Sequence, residues 1–312
     1  MICCSAFYNL GFKFTIMKNL LLSIGISLFF ISCSEQSNRN SDTKKSEELI
    51  EVAVPSEDKE KRSFYPIPSP EQMVTFINDN GLEYNKDVIL DVSLSDGYND
   101  PTHKAIIFGI YIADLAYAAA YQDVESTIKL YKTVQTLSAE LNIEELMTKE
   151  MMQNMLTNME NPDSLALIAG DSYYKAVEHL ESNGQESKLA LMSLGGWIES
   201  VHITLSAMKD IDINSAAVQR ISSQKITFGN LYTYLKNNED ELGIKGELEK
   251  IQRIRAVFAS LEEVGSSKST KSKGGKLVFG QGRKIEISVK QFLELKSAIK
   301  DYRTQLVNQN SQ

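Results

Sequence analysis

Cysteine, proline and glycine are scarce in this sequence. Its 312 residues include 3 cysteines, 6 prolines and 17 glycines, which excludes collagen-like chains and scaffolds built on disulfides. Apolar residues make up 42% of the chain and charged residues 24%. That balance is globular and excludes wholly disordered chains and multi-pass membrane proteins. Because helix-breaking residues are few, the composition predicts an all-α protein.

Basic residues are also fewer than acidic residues. The chain has 33 Lys and Arg against 41 Asp and Glu, which gives a formal net charge of −8. A general nucleic-acid binder needs a basic face, because much of its affinity comes from releasing the counterions of the phosphates. We therefore expect no nucleic-acid partner.

A short basic and apolar segment covers residues 17–32. Its apolar run, Leu20–Ile31, is too short to span a bilayer and stops at Cys33, where a polar stretch begins. This arrangement resembles the lipobox of bacterial lipoproteins, although Phe30 is bulkier than the usual Leu. The resemblance implies that residues 17–32 are a signal peptide and that Cys33 receives lipid on its sulfur and its new amino group.

Residues 1–16 precede this signal and add a second apolar piece. We expect them to be a mis-assigned upstream extension, with translation starting at Met17, and a start at Met1 is the alternative. Cys3 and Cys4 would then be absent, which leaves Cys33 as the single cysteine. On that expectation a disulfide, a thiolate zinc site and a cysteine nucleophile are all excluded.

Residues 33–63 are rich in Ser, Asn, Asp, Glu and Lys and nearly free of aromatic residues. Such a segment cannot bury enough apolar surface to offset the entropy lost on ordering. We predict a lipidated flexible tether over 33–63, which holds a single α-helical domain, residues 64–312, away from the membrane.

Apolar residues recur at helical spacing throughout this domain. The pattern predicts about nine helices in a multi-helix bundle or helical array, with a helical-repeat superhelix as the alternative. Their expected spans are 69–81, 101–121, 124–141, 144–159, 163–183, 186–209, 215–236, 244–261 and 288–307. The last two carry matching apolar stripes, so we expect them to pack antiparallel.

The segment between those two helices has a different character. Residues 276–287 contain two short strand-like runs around a Gly-Gln-Gly turn, which predicts a small β-hairpin. Residues 265–284 form a basic loop in which Lys alternates with Gly and Ser. A solvated loop is the favoured interpretation, and contact with anionic envelope polymers is the alternative.

Four predicted helices contain internal glycines. Each such residue costs a helix about 1 kcal/mol relative to Ala, so some compensation is expected. Close approach of two helix backbones is the favoured explanation, and room for a ligand is the alternative. The positions are Gly109, Gly170, Gly195 with Gly196, and Gly229.

Two acidic residues lie in helices that are otherwise apolar. Asp114 stands between Tyr111 and Tyr117 on one helix, and Glu199 precedes His202 on another. A buried carboxylate needs hydrogen-bond partners or must stay protonated. We therefore predict a polar cluster, either structural or ligand-binding, between the helices. Its expected members are Tyr111, Asp114, Tyr117, Asp171, Tyr174, Trp197, Glu199 and His202.

Strong catalytic, metal or cofactor motifs are missing from the sequence. Glu199 and His202 have the Glu-x-x-His spacing of di-iron bundles, but such a site needs a second copy and the sequence has none. A Gly-Lys step at 275–276 resembles a P-loop, yet Thr270 and Leu277 stand where that loop needs Gly and Ser or Thr. We predict no metal, no cofactor and no catalytic residue.

Two of the predicted helices carry a family likeness. One contains Gly-x-Tyr-x-x-Asp-Leu-x-Tyr over 109–117, and the other contains Gly-Gly-Trp-Ile-Glu over 195–199. The chain thereby resembles a group of uncharacterised all-helical lipoproteins of Bacteroidetes bacteria, over roughly residues 100–210. The resemblance implies a helical envelope protein and brings no assigned activity.

The favoured hypothesis is a lipid-anchored protein of the cell envelope, on the outer membrane of a Gram-negative bacterium. Its expected role is non-enzymatic, as a binding or interaction module for a protein, glycan or small molecule. The alternative is a small-ligand receptor or an enzyme that uses the acid and tyrosine cluster around Asp114 and Glu199. A cavity that reaches both carboxylates would favour the alternative.

Overall fold

The computed structural model describes residue 76 and residues 80–208, 211–241, 243–264 and 284–308. Within these residues it contains nine α-helices, three short 3-10 helices and one two-stranded sheet, so the predicted all-α array with a small strand pair is confirmed. All described residues belong to one compact unit, Glu60–Gln312. The predicted upstream extension at 1–16, the predicted signal peptide at 17–32, Cys33 with the predicted tether, and nearly all of the predicted 69–81 helix and 265–284 loop lie outside the described residues.

The α-helices follow one another with short connections. Their bounds are α1 Pro101–Ala120, α2 Val124–Glu140, α3 Lys149–Thr157, α4 Pro162–Ser182, α5 Glu186–Ser206, α6 Ala216–Asn237, α7 Ile244–Lys250, α8 Gln252–Ala259 and α9 Val289–Asn308. The 3-10 helices are Lys86–Val88, Val92–Gly97 and Glu144–Leu146.

Local signals in the sequence account for most helix starts. Asp100 caps α1 by accepting a hydrogen bond from the His103 N–H, with Pro101 at the first helical position. At α4 the cap is Asn161, which accepts from the Ser164 N–H, so the helix begins at Pro162, one residue before the predicted start at 163. Asp163 lies in the first turn, where its charge is favourable to the helix dipole.

Two predicted helices are each divided. The span 144–159 is a 3-10 turn followed by α3, because the Thr148 side chain caps a new helix by accepting from the Met151 N–H. The span 244–261 is interrupted at Ile251, where ψ is 3°. Helical hydrogen bonding continues across that break, from the Ile251 N–H to Glu247 and from the Arg255 N–H to Ile251.

Helices α1 and α5 form the centre of the domain. A Cβ at Gly109 would overlap the carbonyl of Met192, and a Cβ at Gly195 would overlap the carbonyl of Ile106. The two backbones are therefore in contact, as expected for these glycines. Gly196 also faces Gly109, whereas Gly229 lies in open space and Gly170 is buried in α4.

Helix α1 is long and apolar enough to cross a membrane, by its length and composition alone. In this fold it is instead the most enclosed helix, with 14 buried residues out of 20 and most of its apolar stretch inside the protein. Among its neighbours are α2, α5 and α9, and α6 packs on the far side of α5.

The C-terminal helix α9 runs antiparallel to α7 and α8, as expected. Three side-chain contacts fix that direction: Gln291 with Ser260, Arg253 with Asp301, and Tyr302 with Glu247. The last carbonyl oxygens of α9 are also hydrogen-bonded. His103 Nε2–H donates to the Leu306 oxygen, and the Tyr98 hydroxyl donates to the Val307 oxygen.

The small sheet joins α8 to α9. Strand β1, Glu262–Val264, pairs antiparallel with β2, Lys284–Glu286, in the register Glu263 opposite Ile285. The predicted second strand of the hairpin is thus confirmed. Its partner is β1, a segment that the sequence pattern does not mark as a strand, and residues 276–283 lie outside the described residues.

The contact between α1 and α5 leads to a stability prediction. Gly109→Ala is expected to lower the free energy of unfolding by about 1–3 kcal/mol or more, because backbone atoms must move to admit the methyl group. Gly229→Ala is the matched control: its Cβ meets no atom within 4 Å, so better helix propensity should raise stability by up to about 1 kcal/mol. Urea denaturation of both variants measures this, and changes of the same sign would contradict the contact.

Candidate functional site

The two acids singled out by the sequence lie together between the central helices. Asp114 projects from α1 and Glu199 from α5, and both side chains are 0% exposed. Each stands four to five residues beyond its glycine, Gly109 or Gly195, so the close backbone contact also brings the two carboxyl groups together. The prediction that both acids are buried and hydrogen-bonded is confirmed.

The positive partner of this pair is Arg303 of α9. Its Nε donates to Glu199 Oε2 at 2.6 Å and one Nη donates to Glu199 Oε1 at 2.7 Å, a two-pronged ion pair. The same guanidinium donates to the Val88 carbonyl at 3.2 Å. The Arg303 side chain is only 15% exposed, so solvent screens the pair weakly.

Asp114 is the third member of the group. Its Oδ2 accepts from the Leu90 N–H at 3.0 Å, whereas Oδ1 has no donor among the described residues. Burial and the neighbouring Glu199 carboxylate raise the pKa of Asp114 well above its usual 3.8. The protonated form, which this shift favours, would let Oδ1 donate to the adjacent carboxyl group of Glu199.

Burial raises the pKa of Glu199 as well, and hydrogen bonding to Arg303 opposes that shift. The single guanidinium of Arg303 is paired with the Glu199 carboxylate, and burial beside that carboxylate favours the uncharged form of Asp114. A buried ion pair with all its hydrogen bonds made is a structural element that holds segments in place. Here it joins the segment 88–90 to α1, α5 and α9.

The tyrosines of α1 also bind the segment before it. Tyr111 donates to the Asp91 carbonyl at 2.8 Å, and the Tyr117 hydroxyl accepts from the Asn85 N–H at 2.9 Å. The rings of Tyr84, Tyr117 and Tyr121 pack against one another with centroids 5.0–5.2 Å apart. These tyrosines therefore fasten residues 82–91 over α1.

Two predicted members of the cluster lie elsewhere. Asp171 and Tyr174 are exposed on α4, where Asp171 pairs with Lys175 at 2.6 Å and Tyr174 is 57% exposed. The expectation that they stand like Asp114 is wrong, because α4 is not apolar all round. It buries only Leu165, Gly170 and Leu180, so its polar residues face solvent.

Trp197 is buried, but on the opposite face of α5 from Glu199. Its Nε1–H donates to Gln224 at 3.1 Å, and its ring packs against Phe228 and Phe258. Two residues along a helix correspond to about 200°, so a residue two positions from Glu199 cannot share its surroundings. The tryptophan belongs to the packing between α5, α6 and α8.

His202 lies near the cluster as a neutral side chain. Burial and the charges of Arg303 and Lys300 lower its pKa to about 4. Of the Glu-x-x-His pair, Glu199 is engaged by the Arg303 guanidinium through both carboxylate oxygens. Across the described ranges, no three His, Cys, Asp or Glu side chains are grouped to hold a metal ion.

Two buried charged residues were not predicted from the sequence: Arg303 on α9 and Glu247 on α7. Arg303 follows Tyr302 on an amphipathic helix, where a charged residue is expected to face solvent. Glu247 is 6% exposed and accepts from the Tyr302 hydroxyl at 2.6 Å and from Lys250 at 2.7 Å. The charge balance could have indicated Arg303, because two buried acids on apolar helices require a basic partner from another element.

An apolar pocket lies on the other side of α1. Its volume is about 150 Å³, and its walls come from α1, α3, α4, α5 and the turn before α3. The lining residues are Phe108, Gly109, Ile112, Ala113, Leu115, Ala116, Ala119, Leu146, Met147, Met151, Met155, Leu165, Ile168, Ala169, Ser172, Tyr173, Ala176, Leu189, Met192, Ser193, Gly196 and Ser200. Neither Asp114 nor Glu199 belongs to them, so this cavity does not reach the carboxylates.

Comparisons of the chain with protein-family models, with curated proteins and with solved structures found no match. The resemblance to Bacteroidetes lipoproteins therefore stays a prediction from the motifs over 109–117 and 195–199. The structure adds a physical reason for those motifs, because their glycines are in backbone contact and their acids are neighbours.

Removing the guanidinium should expose the cost of the buried pair. Arg303→Met keeps an unbranched stem but leaves the Glu199 charge buried, and we expect a loss of about 3–5 kcal/mol of unfolding free energy. Arg253→Met is the control. Arg253 on α8 is about half exposed and pairs at 2.6 Å with Asp301, which lies on α9 as Arg303 does. That change should cost less than about 1 kcal/mol. Chemical denaturation measures both, and equal losses would refute the buried role of Arg303.

The raised pKa of Asp114 leads to a prediction about how stability depends on pH. Above about pH 4 the unfolded chain has lost the Asp114 proton while the folded chain keeps it, so this group's stabilisation falls as pH rises through its raised pKa. Asp114→Asn should keep both hydrogen bonds and remove that slope. The measurement is the difference in unfolding free energy between the native chain and the variant from pH 5 to 9. His202 titrates in both and cancels, and a difference that stays constant with pH would contradict a protonated Asp114.

Proposed function

We propose that this protein is a lipid-anchored module of a bacterial cell envelope, whose helical domain binds a partner. The anchor is Cys33 at the end of the apolar signal, and the outer membrane of a Gram-negative bacterium is its proposed location. The lipobox resemblance supports this proposal, and the net charge of −8 gives the chain little overall attraction to anionic lipid without such an anchor.

One observation argues against catalysis at the acid cluster. Asp114 and Glu199 are 0% exposed, and their polar atoms face Leu90, Arg303 and each other. A catalytic acid or base must come within hydrogen-bond reach of a substrate proton. These carboxyl groups are instead enclosed within the fold, and Glu199 is paired with Arg303, which supports a structural role for the cluster.

The alternative of a receptor or enzyme working through Asp114 and Glu199 loses its main support. It needs a cavity that reaches both carboxylates, and the apolar pocket opens on the opposite side of α1. What supports a binding role is that pocket, because it combines a preformed concave shape with apolar walls. The proposed partner therefore contacts α1, α4 and α5, and it does not contact the buried acids.

The anchor is tested in a bacterial host that acylates lipoproteins. Cys33→Ala is expected to move the protein from the membrane fraction to the soluble fraction and to abolish labelling by an alkynyl fatty acid. A chain attached by several acyl groups is held firmly, at about 0.8 kcal/mol for each buried methylene, so release should be nearly complete.

The matched control replaces the other two cysteines, Cys3 and Cys4, with Ala in one variant. Labelling and membrane location should then be unchanged. Persistent labelling after Cys33→Ala, or its loss in the control, would overturn the assignment of Cys33 as the lipidated residue.

A further inference from the structure

Helix α4 stands away from the two central helices. Only 3 of its 21 residues are buried, against 14 of 21 in α5. Its inward-facing residues Ile168, Ser172 and Ala176 remain half-buried although they face α1 and α5. The pocket of about 150 Å³ is the space left between this helix and the core.

Small residues make that space. On α1 the lining includes Ala113 and Ala116 beside the larger Phe108, Ile112 and Leu115, and α4 contributes Ala169 and Ala176. Larger side chains at these positions would let the two helices interdigitate and close the gap, as close-packed interiors do. The chain instead keeps apolar walls without contact partners, which forfeits dispersion energy.

The walls also select the chemistry of an occupant. No Asp, Glu, Lys, Arg or His belongs to the lining, so a charged group would lose its hydration without gaining a partner. Met147, Met151, Met155 and Met192 line the pocket from three elements. Methionine side chains adapt their shape and make favourable sulfur contacts with aromatic rings.

We propose that this pocket is a binding site for an uncharged hydrocarbon group about the size of one aromatic ring. An apolar cavity of about 150 Å³ is large enough to take up benzene. This inference rests on the proposed binding role and names the ligand chemistry. Helix α4 is the wall through which the ligand enters, because it is the least buried of the long helices around the pocket.

The test uses toluene as the probe and the methyl groups of methionine as reporters. The full chain carrying Cys33→Ala, which prevents acylation, is labelled with ¹³C at the methionine methyls. Saturating toluene is expected to shift the signals of Met147, Met151, Met155 and Met192. Met159 and Met208 lie outside the lining and should stay unshifted.

Two variants fill the pocket to test the site itself. Ala116→Leu on α1 and Ala169→Leu on α4 are each expected to weaken toluene binding by about ten-fold or more, equal to about 1.4 kcal/mol. Ala256→Leu on α8 is the control, because Ala256 is exposed and outside the lining. It should leave toluene affinity within about two-fold of the parent chain. Circular dichroism confirms that each variant is folded.

Shifts confined to the four lining methionines, lost in either filled variant that folds, would establish the site. Equal shifts at Met159 and Met208, absence of any shift, or binding that survives both substitutions would overturn it. Since this experiment uses a chain that cannot be acylated, its outcome is independent of the membrane anchor. Failure of the pocket and failure of the anchor are therefore distinguishable.

Discussion

The contact between the backbones of α1 and α5 at Gly109 and Gly195 is the constraint on which the rest of the structure depends. Two helices that touch through glycine leave no room for side chains at the crossing, so every larger group nearby must lie to one side or the other. On one side this places Asp114 beside Glu199. On the other side it leaves a space that α4 only partly covers.

The buried pair of Glu199 and Arg303 converts this local geometry into a tertiary restraint. Charges removed from water are costly unless they are paired and fully hydrogen-bonded, and here the partner comes from a helix about a hundred residues later in the chain. With Arg303 fixed, α9 is held against α5, and its terminal carbonyls meet His103 and Tyr98. The segment before α1 is held as well, because Arg303 donates to the Val88 carbonyl and the Leu90 N–H donates to the neighbouring Asp114.

Periodicity in the sequence predicts the helices well, because burial of an apolar stripe is the main force that stabilises them. It also predicts that Asp114 is buried, since an acid in a helix that is apolar all round has no solvent face. The same reasoning failed for Asp171, whose helix has a polar face. Arg303 could not be predicted, because long-range pairing leaves no periodic trace and a charged residue on an amphipathic helix is usually exposed.

The two sides of α1 differ in which groups the protein satisfies by itself. The Leu90 N–H already donates to Asp114 and Arg303 already donates to both oxygens of Glu199, so a ligand arriving there would have to break bonds already made. Around Met192 and Ala116 the apolar atoms face empty space, and an apolar ligand would gain contacts without displacing any. Binding free energy comes from interactions that the unliganded protein lacks. By that criterion the conspicuous acids belong to the architecture, and the featureless apolar wall is where a ligand has most to gain.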